Sequence, residues 1–297
     1  MDSQAILETT TPIIIANDLR RSFNGKEVVG GVSFSVELGE IFGLLGPNGA
    51  GKTTTIRLLT GQIDPSGGTA SVAGCDVVKD RSRLKGLIGV VFEEQNLYER
   101  LSATNNLRFN CWLYDLPETR IDEVLDIVHL VNRSKEPVRM FSNGMKQRLM
   151  IARALLHDPA VLFLDEPTKG LDPIAAREVR NAIEQLSRNG KTILLTTHLL
   201  EEADELCRRV AFMVNGCLVA NDTPRNLKLS HGKRQLEVMI DDHDQAGRLF
   251  QQLLNMDEAE DQVSLARLMA QGVVRSIHSQ EATLEEVFIE IAGIRPA

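Results

Sequence analysis

Eight residues constrain this chain more than any others: GPNGAGKT, Gly46–Thr53. They satisfy G-x-x-x-x-G-K-[ST], and the setting is the required one. The apolar run EIFGLLG before them reads as a strand, and KTTTIRLLTG after them opens a helix. A glycine-rich turn at that junction lets successive backbone N–H groups converge on phosphate oxygens, and the helix N-terminus adds its partial positive charge. Gly46, Pro47, Asn48, Gly49, Ala50 and Gly51 form the cradle, with Thr54 following in the first helical turn. Lys52 is placed to reach the outer phosphates and Thr53 to offer a hydroxyl to a bound metal ion. A plain glycine-rich turn is the rival reading, and a full match in a strand-then-helix setting weighs against it.

A second stretch, AVLFLDEP (Ala160–Pro167), supplies what a phosphate site lacks. Its apolar run reads as a strand buried on both faces, ended by proline. Two adjacent carboxylates at the mouth of such a strand are costly unless something compensates them. In P-loop ATPases a second strand ends beside the glycine loop and its aspartate holds Mg²⁺. Asp165 fits that part. Glu166 lies one residue on and points differently, so it can hold a water near the terminal phosphate as base or orienter. A solvated strand end is the alternative for a lone DEP, but not beside a phosphate cradle.

The rest of the chain has room for this chemistry and excludes others. The 297 residues suit one large domain or two ordinary ones, and 43% of them are hydrophobic. A net charge of −8 argues against a nucleic acid held by bulk charge. Cys75, Cys111, Cys207 and Cys217 form no CxxC pair, which speaks against a zinc site or disulfide framework. MDSQAILETTTP lacks the apolar segment of a signal peptide, and no window approaches the length of a membrane span. Residues 13–91 read as short strands separated by turns. Residues 97–159 read as helical, with Ile121, Val124, Leu125 and Val128 on one face. Strands and helices then alternate to about residue 216, with Gly190 closing the helix that starts at Pro173, which suggests a mostly parallel sheet covered by helices. From about residue 230 a linker and a fresh strand lead to two further helices, DQAGRLFQQLLNM and TLEEVFIEIAG. The last has Leu284, Val287, Phe288 and Ile291 on one face and a Thr283–Glu286 capping box.

FSNGMKQR (Phe141–Arg148) alone is a weak turn-then-helix signal. With GPNGAGKT, VLFLDEP, GLDP and TTH, in this order and spacing, residues 13–225 resemble the nucleotide-binding subunit of ABC transporters. The resemblance implies an α/β fold, a P-loop ATPase core with a mixed sheet. A helical subdomain would cover about 97–159. It divides the chain into a tail (1–12), an ATPase domain (13–229) and a small α+β accessory domain (230–297). It also implies ATP and Mg²⁺ as cofactors. Ser142 and the turn Asn143–Gly144 would face the γ-phosphate held by a second ATPase subunit in a homodimer with two sandwiched ATP molecules. His198 would contact the γ-phosphate, Asp172 would cross the dimer interface, and Phe23 would stack on adenine. Two positions depart from the family's pattern. Asn143-Gly144-Met145 replaces Gly-Gly-Gln, and Asn tolerates left-handed geometry. The family's glutamine near the metal falls on Glu93 by spacing, with Gln95 as the alternative if the loop is shifted, and a surface acidic turn as the bland reading.

The signature SNGMKQR and the C-terminal TLEEVFIEIAG resemble ATPases of exporters for drugs, ions or lipids that work with a separate integral-membrane permease. That implies a peripheral protein on the cytoplasmic face of the membrane, with no nucleic acid partner. A soluble ABC ATPase acting on ribosomes or DNA is the rival class. Two cassettes, a coiled-coil insertion or zinc motifs would mark it, and none is visible in the sequence. A binding module without hydrolysis would lack Glu166.

Overall fold

The computed structural model describes residues 11–241, 249–280 and 282–293. They form two compact units divided between Asn221 and Asp222.

The first unit opens with two long strands, β1 (Pro12–Phe23) and β2 (Lys26–Glu37), joined by the tight turn Asn24–Gly25. Then come β3 (Ile41–Leu45), the glycine loop and α1 (Lys52–Leu59). β4 (Gly67–Val72) and β5 (Cys75–Asp76) join β1 and β2 in an antiparallel sheet ordered β2-β1-β4-β5. After α2 (Arg81–Lys85), β6 (Ile88–Val91) enters a second sheet.

The helical region follows. It holds α3 (Ala103–Leu113), α4 (Thr119–Ile127), two single 3₁₀ turns and α5 (Asn143–Leu155). Ile121, Val124, Leu125 and Val128 are all buried, as the helical spacing requires. The chain then alternates through β7 (Val161–Asp165), α6 (Pro173–Arg188), β8 (Thr192–Thr197), α7 (Leu200–Leu206), β9 (Arg209–Val214) and β10 (Cys217–Asp222). Gly190, at φ +87°, closes α6 as expected.

The second sheet runs β10-β9-β3-β8-β7-β6, and β9, β3, β8, β7 and β6 are parallel. Every residue of β3, β7 and β8 is buried, the mark of parallel strands covered on both faces. α1 packs against strands of both sheets, and the main core joins them through Ile14, Leu19, Phe42, Leu44, Ile56 and Phe163. The register aligns the carboxyl ends of the three central strands: Leu45 lies beside Thr197, and Thr196 beside Asp165. Open α/β sheets place their ligand crevices at such ends.

The second unit contains α8 (Pro224–His231), β11 (Gln235–Asp241), β12 (Leu249–Asn255), α9 (Ala259–Gln271), β13 (Val274–Gln280) and α10 (Leu284–Ala292). Its antiparallel sheet is ordered β12-β11-β13, with α9 packed on the two outer strands. The Thr283–Glu286 capping box forms as the sequence indicates.

One expectation is corrected here. The helix read over residues 244–256 is, from Leu249 to Asn255, a strand paired residue by residue with β11. Leu249, Phe250, Leu253 and Leu254 have helical spacing, yet only Leu254 is buried. Pairing with β11 outweighs local periodicity. Residues 244–248 lie outside those described.

Candidate active site

The glycine loop joins β3 to α1, and its backbone explains its composition. Gly51 precedes α1 at φ +110°, and a Cβ there would stand 2.7 Å from the Val28 carbonyl oxygen. Only glycine accepts both constraints. Over the loop lies a cavity of about 160 Å³. Asn48, Gly49, Ala50, Gly51, Lys52, Thr53 and Thr54 line it together with Val28, Glu93 and Glu166.

Lys52 is buried. Its Nζ donates to the Gly46 carbonyl at 2.7 Å and the Pro47 carbonyl at 3.2 Å, and stands 3.3 Å from Glu166 Oε1. Gly46 and Pro47 thus act through their carbonyls on the lysine. The other Glu166 oxygen, Oε2, lies 2.8 Å from His198 Nδ1. One buried carboxylate therefore connects the glycine-loop lysine to the histidine that follows β8.

Asp165 and Glu166 do point differently. Asp165 Oδ1 accepts a short hydrogen bond from Thr196 Oγ1 inside the sheet. Glu166 turns out at φ +52°, a left-handed conformation that costs a non-glycine residue about 1 kcal/mol or more. Its N–H donates to the Thr196 carbonyl at 3.0 Å and to Thr196 Oγ1 at 3.2 Å. Thr196 thus holds both acids. Sequence reasoning did not single it out, and its place beside Asp165 depends on strand register.

Glu93 lines the glycine-loop cavity, whereas Gln95 lines only a neighbouring one, with Glu93, Asn143, Gln147, Glu166, Lys169 and Gly170. Glu93 also pairs with Lys169 at 2.7 Å. The carboxylate beside it holds the Lys169 ammonium above the usual lysine range, and Glu166 and Asp165 add to the effect. The acid at position 93 is thus matched by a cation on the loop after Glu166.

Ser142, Gly144, Asp172 and Phe23 do not line this cavity. Ser142 caps α5, its Oγ accepting from the Met145 N–H at 3.2 Å. Asn143 is not a left-handed turn residue; it is the first residue of α5. The Ser142 cap starts the helix directly, so no turn is needed there. Gly144 is buried where a Cβ would meet Ala175 Cβ at 2.5 Å, so its smallness lets α5 and α6 touch. Arg148 strengthens that contact through Glu178 at 2.9 Å. Asp172 caps α6, accepting from the Ile174 and Ala175 N–H groups. Phe23, at the end of β1, is 41% exposed, with the Arg21 guanidinium 4.4 Å above its ring. That leaves an aromatic face at the surface, not in the core.

Known proteins match this arrangement. Residues 29–169 fit the family model described as ABC transporter. The chain is 42% identical to the fluoroquinolones export ATP-binding protein of Mycobacterium tuberculosis (strain CDC 1551 / Oshkosh), over 89% of this chain and 87% of that one. It is 36% identical to Nod factor export ATP-binding protein I of Ralstonia nicotianae, over 96% and 95% of the two chains. Among solved structures, a part of an ABC transporter complex from Clostridium perfringens superposes with a TM-score of 0.69 at 27% identity, over 74% of this chain and 92% of that one. The ATP-binding subunit of another ABC transporter gives 0.66 at 31% identity, over 74% and 93%. With the glycine loop, the paired acids and the histidine together at the ends of β3, β7 and β8, this chain belongs to the ABC transporter family as one of its ATP-binding, ATP-hydrolysing subunits.

Proposed function

We propose that two copies of this chain close head to tail around two ATP molecules with Mg²⁺ and drive export through a separate membrane permease. The observation that carries the reading is the double contact of Glu166, with Lys52 on one side and His198 on the other. It joins a phosphate-binding cation to a proton acceptor and a proton-holding ring at one point. In this reading Glu166 takes the proton from the attacking water, and His198 keeps the Glu166 carboxylate oriented and contacts the γ-phosphate. Lys52 and the loop N–H groups balance the charge that builds on the phosphate oxygens.

The donor set fits Mg²⁺, which accepts a few protein oxygens and fills its shell with phosphate and water. Thr53, Asp165 and Glu93 would hold it, and it would neutralise charge between the β and γ phosphates. In this reading Ser142 serves the nucleotide of a second chain, where the α5 N-terminus would face the γ-phosphate. Asp172 would lie at the same junction, and Phe23 offers its face to adenine. Export as the direction draws on the names of two relatives, the fluoroquinolones export ATP-binding protein and Nod factor export ATP-binding protein I.

No helix among the described residues is long and apolar enough to cross a membrane. In the proposed assembly the transport path belongs to another chain, met at the membrane's cytoplasmic face. A surface suited to it extends from residue 93 into α3. Trp112 is 70% exposed and Leu113 67%, beside exposed Tyr98 and Phe109 in edge-on contact at 5.7 Å. The 93–100 segment is fastened to the signature helix by Glu99–Lys146 at 2.7 Å and by the Arg153 bond to the Asn96 carbonyl at 2.8 Å. Asn106 of α3 pins Tyr98 by bonds to its N–H and carbonyl. Force on this surface would therefore reach both Glu93 and α5.

Trp112→Ser is expected to leave the basal ATPase of the isolated subunit within about twofold. It should lower permease-stimulated ATPase and transport about tenfold or more, the usual loss for a buried interface tryptophan. Unchanged transport in vesicles containing the complex would exclude this surface as the permease contact.

A further inference from the structure

The second unit contains a cavity for which the chemistry above has no use. It holds about 770 Å³, a size that suits a small organic ligand, and lies between α8, the segment leading into β11 and the end of β13. The end of the three-stranded sheet forms its floor. Leu236 is paired with Ser279 there, and the Met256 N–H donates to the Arg234 carbonyl at 2.7 Å. Gly232 carries the chain from α8 to β11 close past Ala282. A Cβ at that point would run into the Ala282 Cβ and the Lys228 carbonyl oxygen, so this wall has no room for a side chain.

The charge at the cavity is one-sided. Arg225, Lys228, Lys233 and Arg234 line it, and no acid does so among the described residues, although the chain as a whole carries −8. Arg225 and Lys233 are exposed and have no carboxylate partner among the described residues. Arg234 is held in place, its Nε donating to Asp257 at 2.7 Å and its Nη2 to the Met256 carbonyl at 3.3 Å. An adjoining cavity shares Lys233 and Arg234 but adds Asp257, Glu286 and Glu290. Positive charge without acids therefore gathers on the Arg225 side. The same cavity has an apolar part, made by Leu229, Leu236 and Met256, and Leu229 is 73% exposed. A small hydrophilic anion would leave that part uncovered. A neutral hydrocarbon would leave the cations unmatched and partly desolvated.

We propose that this cavity binds an anionic amphiphile, with a phosphate head paired to Arg225 and Lys233 and an alkyl body laid over Leu229, Leu236 and Met256. Charge-assisted bonds to the head give affinity and orientation, and burial of the alkyl body adds to both. A membrane phospholipid and a soluble alkyl phosphate share this chemistry, and the experiment separates them. The inference uses no residue of the hydrolytic site and stands independently of the dimer.

Octyl phosphate, kept below its micellar concentration and titrated calorimetrically into the full chain, is expected to bind at one site. Arg225→Glu combined with Lys233→Glu should weaken it about tenfold or more, the scale of one lost charge-assisted contact. Basal ATPase within about twofold of wild type shows that this variant is folded. Arg83→Glu with Lys85→Glu, the same change of charge on α2, should leave octyl phosphate affinity within about twofold. Octyl glucoside, without the charge, and inorganic phosphate, without the alkyl body, should each bind about tenfold more weakly or worse. Sedimentation with vesicles of phosphatidylglycerol and phosphatidylcholine in equal parts identifies the source. Wild-type binding that the double reversal at 225 and 233 abolishes supports the site as one for a membrane lipid. Octyl phosphate binding without vesicle binding supports it as one for a soluble ligand. No saturable octyl phosphate binding, an affinity in the 225 and 233 reversal within about threefold of wild type, an equal loss in the α2 control, or octyl glucoside binding as well as octyl phosphate would each overturn the proposal.

Discussion

Lys52→Ala is expected to lose nucleotide binding at ATP concentrations that saturate the wild type. Lys52 Nζ is buried between two loop carbonyls and a carboxylate. A charge-assisted hydrogen bond in such surroundings is worth about 1.5–3 kcal/mol, roughly a ten- to hundredfold change in affinity. The substitution also leaves Glu166 buried without its cation, which adds a repulsion that incoming phosphates must meet. Breaking a buried pair from one side costs about 3–5 kcal/mol in general, and His198 Nδ1 on the other oxygen reduces the cost here. Isothermal titration with ATP would register the loss. An affinity within about threefold of wild type, far less than one such bond, would remove Lys52 from the phosphate site.

Glu166→Gln acts on a different step. The amide keeps the shape of the side chain and its reach to His198 and Lys52, so ATP should bind normally. It cannot accept the proton of the attacking water. General-base catalysis contributes about a hundredfold to ten-thousandfold, and kcat should fall by that much with KM for ATP little changed. The variant should then accumulate with uncleaved ATP, seen by chromatographing the bound nucleotide after mixing. Steady-state hydrolysis at the wild-type rate would show that another group activates the water.

The parts of the site that were legible in the sequence are those where the chemistry needs contiguous residues. Gly46–Thr53 and Asp165–Glu166 each lie on one strand end, so strand, turn and function can be read in a single pass. The partners of those residues were hidden because they come from elsewhere in the chain. Thr196 meets the acids only through the register of β7 and β8, and Lys169 meets Glu93 only because the loop after β7 folds toward β6. Gly144 looks in the sequence like part of a phosphate-facing turn; in the fold it is the second residue of α5, where that helix touches Ala175. The buried character of β7 was plain from its unbroken apolar run, and the amphipathic helix at Thr119–Ile127 from its spacing. β12 failed the same test because its leucines have the spacing of a helix while the hydrogen bonds that decide its conformation come from β11.

In the proposed dimer a working site takes Lys52 and Glu166 from one chain and Ser142 from another. Mixing Lys52→Ala chains with Ser142→Arg chains tests it directly. Each variant alone should be inactive, since every site in its dimer is damaged. In a mixed dimer both lesions fall on one site and the other is intact, so ATPase activity should reappear, peaking at equal proportions. A mixture no more active than either variant alone would contradict a composite site with independently working halves.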